Sequence, residues 1–590
     1  MEKLPKTTSY IELLKNHIDL THVPFSDRGS RLLVFKTENH DTLYIKLAER
    51  LTALQPGLDT YRFRPPYIQD LTLIDAEGMA LAFNLTTYPH QLVFETRLGA
   101  FRLAFNRGDT IAIGLPEDTD AGIRFRVSTQ LWQRTDDGGS LRAVRNLAYH
   151  CSGQVLRNEV GLEREAYVVE LVAAGGQDLT IHLNIRNDPN VNGMTVPFSQ
   201  TLAERQRDWE EWFDRVPRVD ERFSRHYYYA WWVMRNNLVA PLGRVTREAM
   251  MPSKINYVGI WNWDACFHAL AYRHVDAELA RNQLRTMIDC QLPDGMIPDA
   301  VYDEEVVASI EHPFKAEVTK PPIMAWAALK LHETDPDDAF LAEIYIPLVR
   351  WNAWWFSMND DDADGLVQYN HPYSSGLDDS PLWDYGMPVE SPDINTYLCV
   401  QMGSLAVIAE ALGMDSEGAM WRRRASAIVQ RMINDFWDEN SGTFRALHDH
   451  QPIDVTTPFN LYPLWTGQLP EHIRERLLGQ LTDPNKFWGD VVIPTVARDD
   501  PHFDPATMWR GPVWANINYF FIEALEQIGR HDLAGELKNK TLDLIMAHDG
   551  IHEYYNGVTG EPPATAASIF GWTAAVFIDL AIRASSGDAG

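Results

Sequence analysis

The sequence lacks the cysteine patterns, long apolar runs and excess positive charge that mark several large classes of protein. Only 4 of its 590 residues are cysteine, and no two of them have the C-x-x-C spacing of a zinc or redox site. These four lie far apart in apolar surroundings, at Cys151, Cys266, Cys290 and Cys399. They are therefore predicted to be buried thiols in a reducing cytoplasm.

The balance of charge and the first residues exclude further classes. The 52 lysine and arginine residues are outnumbered by 82 aspartate and glutamate residues, which gives a net charge of -30. Such a surface repels phosphate backbones and anionic lipids, so neither nucleic acid nor a membrane is expected as a partner. The start, MEKLPKTTSYIELL, lacks a basic segment followed by an apolar core, and no run of about 18 apolar residues occurs. A cytoplasmic location is predicted.

Aromatic residues, in contrast, are abundant. There are 19 tryptophans and 22 tyrosines, and many of the tryptophans stand beside acids or glycines rather than in apolar stripes. Side chains of this kind bind ligands that have apolar faces and polar edges. A small carbohydrate is therefore the expected substrate, while the sequence leaves the oligomeric state open.

The chain is long enough for more than one hydrophobic core, and its pattern changes near residue 200. Before that point, short runs such as RLLVFKT and TLYIKLA alternate with turn residues about every 8–12 positions. Residues 1–198 are predicted to form an antiparallel β-sandwich domain. Residues 199–218 begin with a serine typical of helix starts and carry charges at helical spacing, which predicts a linker helix.

Residues 219–590 have a helical pattern, which makes the predicted fold mainly α. About twelve candidate helices follow one another, among them INTYLCVQMGSLAVIAEALG and PFNLYPLW. In the first of these, Ser391 can cap the helix, Pro392 suits its first turn and Gly413 can end it. A set of this size, joined by glycine-rich and acidic loops, fits six helical hairpins arranged as an (α/α)6 toroid with a pocket at one end.

Unusual residues gather in six loops between these helices. The loops bring aromatic side chains together with acids, arginine and amides. Any one of them is compatible with core packing, but their repeated occurrence between helices indicates a binding site. In chain order they are NYVGIWNWD, QLPDGMIPD, TKPP, SGLDDSP, MWRGPVWANIN and HEYYNGVTGEP.

In their order and spacing these segments resemble a clan of (α/α)6 α-glycosidases. The clan contains glycoside hydrolase family 63, the trehalases, and the glucosylglycerate and mannosylglycerate hydrolases. The resemblance covers the helical domain, and VPFSDRGSRLLVF is similar to the sandwich domain of bacterial family 63 enzymes. It implies an inverting hydrolase, in which a protonated carboxyl group and a water-activating carboxylate stand about 6.5–9.5 Å apart.

The resemblance implies two catalytic residues. Asp378 in SGLDDSP matches the general acid of the family, and Glu553 in HEYYNGVTGEP matches its general base. The adjacent Asp379 and apolar neighbours are expected to raise the pKa of Asp378, as a general acid requires. Residue chemistry alone does not separate Asp378 from Asp379, or Glu553 from Glu561.

The resemblance also implies a set of sugar contacts. Carboxylates and arginine bind hydroxyl groups, and indole rings cover sugar faces. One position departs from the family, because Lys320 stands where trehalases and glycerate-type hydrolases commonly have glutamine. The lysine indicates a different hydroxyl pattern or an anionic aglycone. The predicted substrate-binding residues are Tyr257, Trp261, Asp264, Lys320, Gly376, Arg510, Trp514 and Trp572.

A separate acidic segment, NDDDADGLVQY, follows the early positions of an EF-hand-type calcium loop. Asp360, Asp362 and Asp364 would supply the first ligands of a structural calcium ion. The twelfth position is His371 rather than glutamate. A plain acidic turn therefore stays an alternative, and no cofactor is required by the proposed chemistry.

The hypothesis that follows is an inverting, exo-acting α-glycosidase, first of all an α-glucosidase acting on a small oligosaccharide or glucoside. The alternative within the clan is a glucosylglycerate, mannosylglycerate or trehalose hydrolase. A sugar epimerase or isomerase would need histidine proton shuttles, for which His312 and His552 are the loop candidates. A glycan-binding protein without activity is the remaining alternative, against which the presence of both Asp378 and Glu553 argues.

Overall fold

The computed structural model describes residues 10–50, 65–128, 131–142, 145–163, 165–184 and 196–587. The chain divides into two compact units. The first contains the residues up to Val216 together with Arg235–Ala240 and Lys254–Val258. The second contains Pro217–Met234, Pro241–Ser253 and Gly259–Gly590.

The first unit is built mainly from two antiparallel sheets. The strands are β1 (Leu32–Lys36), β2 (Leu43–Leu47), β3 (Ile68–Asp75), β4 (Asn84–Thr87), β5 (Leu92–Thr96), β6 (Gly99–Arg107), β7 (Thr110–Gly114), β8 (Ala121–Val127), β9 (Leu131–Arg134), β10 (Gly138–Arg142), β11 (Asn146–Cys151), β12 (Val155–Glu163), β13 (Ala166–Ala173) and β14 (Asp178–Asn184). The strand order is β1-β2-β3-β8-β13-β12 in the six-stranded sheet and β4-β5-β6-β7-β14-β11-β10-β9 in the eight-stranded sheet.

Side-chain alternation explains how the two sheets share a core. In β8, Phe125 is buried while its neighbours Arg124 and Arg126 are partly exposed, as the two-residue period of a strand requires. The ring of Phe125 lies 5.9 Å from that of Tyr149 in β11, so the two sheets face each other there. The expectation of an antiparallel β region at the start of the chain is confirmed.

Two helices accompany the sheets, α1 (Tyr10–Leu13) and α2 (Phe198–Arg215). The predicted linker helix begins one residue earlier than expected and ends three residues earlier. Phe198 packs against Ala104 and Ala112, and its backbone amide donates to the Asp178 carboxylate at 2.8 Å. These contacts fix the start of the helix on the eight-stranded sheet, whereas Ser199 lies inside the first turn.

The second unit is mainly helical. Its helices are α3 (Ser224–Asn236, whose last two residues group with the first unit), α4 (Asn262–Tyr272), α5 (Ala277–Ile288), α6 (Met324–Thr334), α7 (Asp338–Met358), α8 (Pro392–Ala411), α9 (Asp415–Asp435), α10 (Glu471–Leu481), α11 (Ala515–Gln527), α12 (His531–Met546) and α13 (Gly571–Ser585). Four 3-10 helices cover Glu221–Phe223, Pro372–Ser375, Pro381–Tyr385 and Pro458–Thr466.

Two-residue strands occupy several loops. They are Leu238–Val239, Ala249–Met250, Ile260–Trp261, Ala300–Val301, Val306–Val307, Ser309–Ile310, Ala316–Glu317, Gln368–Tyr369, Val389–Glu390, Trp437–Asp438, Thr443–Phe444, Leu447–His448 and Gln451–Pro452. Ile260–Trp261 pairs with Ala300–Val301, which links two of the loops singled out in the sequence.

Six elements of the second unit contact one another in a closed cycle. The order is α4, α6, α8, the 3-10 helix Pro458–Thr466, α11 and α13, which returns to α4. Five further helices pack on this cycle, with α5 on α4, α7 and α9 on α8, α10 on Pro458–Thr466, and α12 on α11. All eleven residues of α4 are buried, whereas α5 and α9 bury one side, as amphipathic outer helices do.

The local sequence correctly predicts where α8 starts and ends, but not how Ser391 is bonded. Ser391, Pro392 and Gly413 occupy the expected positions before, at the start of and after the helix, and Gly413 has the left-handed φ of 75°. The Ser391 hydroxyl, however, donates to the Asp393 carboxylate and makes no cap bond to the helix backbone. PFNLYPLW forms a 3-10 helix rather than an α-helix, with Pro463 inside it.

Two further predictions concern the burial of the cysteine thiols and the absence of a membrane-spanning helix. Cys151, Cys266 and Cys399 are buried free thiols, but Cys290 is only partly buried, because it lies just after the end of α5. None of the helices described is both long and apolar enough to cross a membrane.

A buried carboxylate joins three helices of the cycle. Asp579 of α13 is fully buried and accepts hydrogen bonds from Arg273 at 2.7 Å, His274 at 2.9 Å and the Tyr519 hydroxyl at 2.8 Å. Burial alone would raise the pKa of Asp579, but the Arg273 guanidinium and the His274 ring hold it well below its usual range. Asp579 therefore links α13 to α11 and to the two residues that follow α4.

We expect Asp579→Asn to destabilise the helical unit strongly. The amide keeps the shape of the side chain but leaves the Arg273 charge buried without its partner, which costs about 3–5 kcal/mol. Urea unfolding followed by tryptophan fluorescence measures the loss. Because the pKa of Asp579 is depressed, its contribution is present at neutral pH and is lost as the pH falls through the folded-state pKa.

Asp549→Asn is the matched control. Asp549 also pairs with an arginine, Arg225 at 3.3 Å, but its side chain is 86% exposed. No measurable change in unfolding is expected, and equal effects of the two substitutions would contradict the role given to Asp579.

Candidate active site

The loop that carries Asp378 is held tightly against the aromatic residues beneath it. Gly376 ends the Pro372–Ser375 turn with a φ of 74°, and a Cβ added there would lie 2.4 Å from the ring of Trp263. Glycine is thus required both by the backbone conformation and by the close approach. The Trp383 indole donates to the Leu377 carbonyl at 2.6 Å and closes the loop from the other side.

Asp378 and Asp379 differ in their surroundings. Oδ1 of Asp379 accepts a hydrogen bond from the Trp509 amide at 2.8 Å, and its carbonyl accepts one from Arg510. Oδ1 of Asp378 is buried with no hydrogen-bond partner in the described part of the chain, and 23% of its side chain is exposed. Asp379 therefore ties two loops together, while Asp378 is left free to contact a ligand.

Burial also sets the protonation of this pair. It raises the pKa of Asp378, although the nearby Lys320 ammonium acts in the opposite direction. Burial raises the pKa of Asp379 to about 6 despite the Trp509 amide, and the charge of Asp378 adds to the increase. The direction agrees with that expected for a group that must donate a proton.

The loop that carries Glu553 separates the two candidate bases. Glu553 is 3% exposed, and its Oε2 accepts a hydrogen bond from the Ala567 amide at 3.0 Å. The side chain of Glu561 is 73% exposed and lies 3.5 Å from His548. Of these two residues, Glu553 is the buried one, and the backbone amide of Ala567 fixes its carboxylate.

Asp264 and Lys320 belong to a buried charged cluster. Asp264 lies in the first turn of α4 and is 3% exposed. Burial raises its pKa well above the usual range, Lys320 opposes the shift, and Glu553 and Asp299 add to it. The charge of Asp264 therefore interacts with those of Lys320, Asp299 and Glu553, which come from separate loops.

Lys320 does not stand free for a substrate. Its Nζ lies 2.9 Å from Oδ1 of Asp299 and donates to the Tyr373 carbonyl at 2.5 Å. Asp299 was not singled out in the sequence, although it ends the quoted segment QLPDGMIPD. The partner of Asp299, Lys320, lies in a different loop. No pattern in the local sequence therefore indicated that Asp299 is buried in an ion pair.

The predicted tryptophans form a buried aromatic layer. Trp514 stacks on Trp509 with ring centres 3.7 Å apart and contacts Tyr554 at 4.7 Å. Since Trp514 is 1% exposed, it supports the loops and offers no free ring face. Trp263, another residue missed in the sequence, meets Trp572 edge to face at 5.3 Å.

The three remaining residues that were predicted to contact the sugar lie in different surroundings. Trp261 is 7% exposed and meets Tyr302 edge to face at 5.6 Å. Arg510 pairs with the Asp384 carboxylate, so its charge is largely used within the loops. Tyr257 lies in Lys254–Val258, which groups with the first unit. The sugar-binding roles of all eight residues stay predictions.

The acidic loop after α7 brings the predicted calcium ligands together. One carboxylate oxygen from each of Asp360, Asp362 and Asp364 lies within 4.8 Å of the others. Asp362 also forms such a group with Glu390 and His450. A set of carboxylate oxygens fits a calcium ion in its chemistry.

The end of this loop departs from an EF-hand. Nδ1 of His371 accepts a hydrogen bond from the Tyr373 amide at 3.0 Å, so this nitrogen caps the following turn. Burial raises the pKa of Glu390 to about 7, and the charges of Asp364 and Asp362 add to the shift. A bound cation would relieve this repulsion.

With the partly buried Asp378 and the buried Glu553 on separate loops of an α-helical cycle, the chain has the parts of a glycosidase. Residues 257–573 match the family model for the mannosylglycerate hydrolase MGH1-like glycoside hydrolase domain. The protein is a glycoside hydrolase and belongs to this family.

Curated relatives include two glycerate-glycoside hydrolases. The chain is 28% identical over 419 residues to mannosylglycerate hydrolase from Thermus thermophilus, covering 57% of this chain and 98% of the relative. It is 24% identical over 428 residues to glucosylglycerate hydrolase from Mycolicibacterium hassiacum, covering 57% and 94%. A probable mannosyl-oligosaccharide glucosidase from Schizosaccharomyces pombe is more distant, at 21% over 344 residues, covering 47% and 42%.

A solved structure has a similar fold over more than half of the chain. It is that of a family 63 mannosylglycerate hydrolase from Thermus thermophilus in complex with glucose. The TM-score is 0.52 at 24% identity, with 60% of this chain and 99% of that chain covered. At this identity the similarity concerns the fold.

We propose that the acidic loop binds calcium. We therefore expect calcium to raise the melting temperature of the protein, and magnesium at the same concentration to leave it unchanged. Calcium takes six to eight flexible oxygen ligands, whereas magnesium demands a tighter octahedron. Asp362→Asn should abolish the effect, because Asp362 belongs to both ligand groups. Thermal unfolding with calcium, magnesium or a chelator measures it.

Asp361→Asn serves as the control for this loop. Asp361 is a neighbouring acid whose carboxylate accepts from Gln368 at 2.7 Å and belongs to neither group. It should keep the response to calcium. A response that is absent in the unaltered protein, or equally lost in both variants, would contradict the calcium site.

Proposed function

We propose that this protein hydrolyses a small α-linked glycoside of glycerate, with mannose or glucose as the sugar, and inverts the anomeric centre. Family membership and the glycerate-glycoside hydrolases among its relatives support this substrate class. They favour it over the oligosaccharide α-glucosidase expected first, since the glucosidase relative is more distant. One observation supports the chemistry best. Oδ1 of Asp378 has no hydrogen-bond partner in the described part of the chain, whereas Oδ1 of the adjacent Asp379 accepts a hydrogen bond from the Trp509 amide.

The proposed reaction uses the carboxyl groups of Asp378 and Glu553 in different protonation states. Asp378 donates its proton to the glycosidic oxygen as the bond between that oxygen and the anomeric carbon breaks. Glu553, fixed by the Ala567 amide, takes a proton from the water that attacks the anomeric carbon from the opposite face. The products are the β-anomer of the sugar and the free aglycone.

We also propose that the closed cycle of helices is the (α/α)6 toroid expected from the sequence. One of its six inner elements is then the 3-10 helix Pro458–Thr466. The two sheets of the first unit form the accompanying β-sandwich in this proposal. In this proposal one end of the cycle supplies Asp264 from the first turn of α4, and Asp378 and Glu553 from loops.

A sugar epimerase or isomerase is less well supported. Burial lowers the pKa of His552 to about 4, and the charge of His548 adds to the shift, so His552 is neutral near physiological pH and cannot donate a ring proton readily. His312 is exposed. A binding protein without activity would have no need for a carboxyl group whose pKa is raised beside a ligand-accessible surface.

Proton NMR of a substrate panel tests the proposal. The panel contains mannosylglycerate, glucosylglycerate, kojibiose, nigerose, maltose, isomaltose and trehalose. We expect the β-anomer to appear first from a glycerate glycoside. Asp378→Asn and Glu553→Gln should each lower kcat by about 10²–10⁴-fold, because each removes a proton-transfer group.

Glu561→Gln is the control for the base, because Glu561 lies in the same loop but is exposed. It should retain nearly full activity. First release of the α-anomer would overturn the inverting mechanism. Slow conversion of a free monosaccharide without hydrolysis would instead favour the epimerase, and cleavage of the glucosides but not the glycerates would restore the α-glucosidase hypothesis.

A further inference from the structure

Lys320 lies between the proposed general acid and a second carboxyl group, Asp299. Its Nζ is 2.9 Å from Oδ1 of Asp299 and 3.9 Å from Oδ1 of Asp378. Lys320 and Asp299 are each 5% exposed. Solvent therefore screens these charges little, and each acts strongly on the others.

A lysine in this place works against a general acid. A positive charge within about 4–6 Å favours the ionised form of a carboxyl group, typically by about 1–3 pKa units. Among the described residues, Lys320 is the one lysine or arginine with a nitrogen within 4.0 Å of an Asp378 oxygen. The site thus contains a charge that opposes the protonation its proposed chemistry requires.

Asp299 is placed to offset that charge. The Asp299 carboxylate is nearer to the Lys320 ammonium group than the Asp378 carboxylate is. The carbonyl of Tyr373, a few residues before Asp378, accepts a hydrogen bond from the same ammonium group. Burial raises the pKa of Asp299 to about 6, with Lys320 opposing the rise, so the ion pair is formed at neutral pH. Neutral pH is the range in which Asp378 must keep its proton.

We propose that Asp299 is a positioning residue that binds Lys320 and offsets its charge, so that Asp378 retains its proton for the leaving oxygen. The pair takes the place of the neutral glutamine that resembling enzymes commonly have before Pro-Pro. This inference rests on the proposed function, because it takes Asp378 to be the general acid. Among the described residues, the other titratable or charged groups around the site include Asp264, Asp379, Arg510, Glu553 and His371, and burial lowers the pKa of His371 to about 4.

The alkaline limb of the pH dependence of kcat/KM tests the proposal, since it reports the pKa of the essential acid in the free enzyme. In Asp299→Asn the Lys320 charge acts on Asp378 without compensation. The limb should move to lower pH by about one unit or more. In Lys320→Gln the Asp299 carboxylate is left uncompensated near Asp378, and the limb should move to higher pH.

Two further variants separate charge from structure. Asp299→Glu keeps the charge and should leave the limb near its original position. The double variant Asp299→Asn, Lys320→Gln has no net charge at the pair and should return the limb toward the original. Asp289→Asn, which removes a partly exposed partner of Arg247 at 3.0 Å, is the remote control and should change neither the limb nor kcat.

The outcomes distinguish this inference from the proposed function. If the unaltered enzyme hydrolyses none of the panel, or if Asp378→Asn retains full activity, the proposed function fails. If Asp378→Asn is inactive while Asp299→Asn and Lys320→Gln lose activity without opposite shifts of the limb, Asp299 has a structural role and the inference fails. Should Asp299→Asn not fold, an unmoved limb in Lys320→Gln is enough to overturn it.

Discussion

The burial of several carboxyl groups around one lysine is the constraint on which the site depends. Asp264 and Asp299 are almost fully buried, and Lys320 between the loops opposes the rise in pKa of both. Desolvation disfavours the charged form of each acid, while the lysine charge favours it. The balance between these two effects decides which carboxyl groups hold a proton and which are available to accept one.

The helical cycle makes this burial possible. Helix α4 is completely buried and α11 is buried over most of its length, and the rings of Trp263, Trp509 and Trp514 pack together among the loops that carry the site. The loops themselves are fixed by bonds between their backbones and acidic side chains, as Asp379 and the Trp509 amide show. Sites that are held on rigid elements in this way can keep the catalytic geometry without a large movement of the chain.

Much of this arrangement was predictable from the sequence. The alternating runs of the first unit and the stripe of α8 follow from side-chain periodicity. The unusual composition of the loops indicated where a site lies, and only the family resemblance selected Asp378 and Glu553 within them. What was not predictable depends on contacts between distant segments. The pairing of Asp299 with Lys320, the contact of Gly376 with Trp263 and the covering of Trp514 by Trp509 each join residues whose local sequences carry no sign of the partner.

The measurement that tests the account most directly is the protonation state of Asp378 in the resting enzyme. Infrared difference spectroscopy between the unaltered protein and Asp378→Asn, at the pH of highest activity, isolates the carbonyl stretch of this one carboxyl group. The account predicts a protonated carboxylic acid band that Asp378→Asn removes and Asp379→Asn retains. A difference spectrum that contains only the bands of an ionised carboxylate would contradict it.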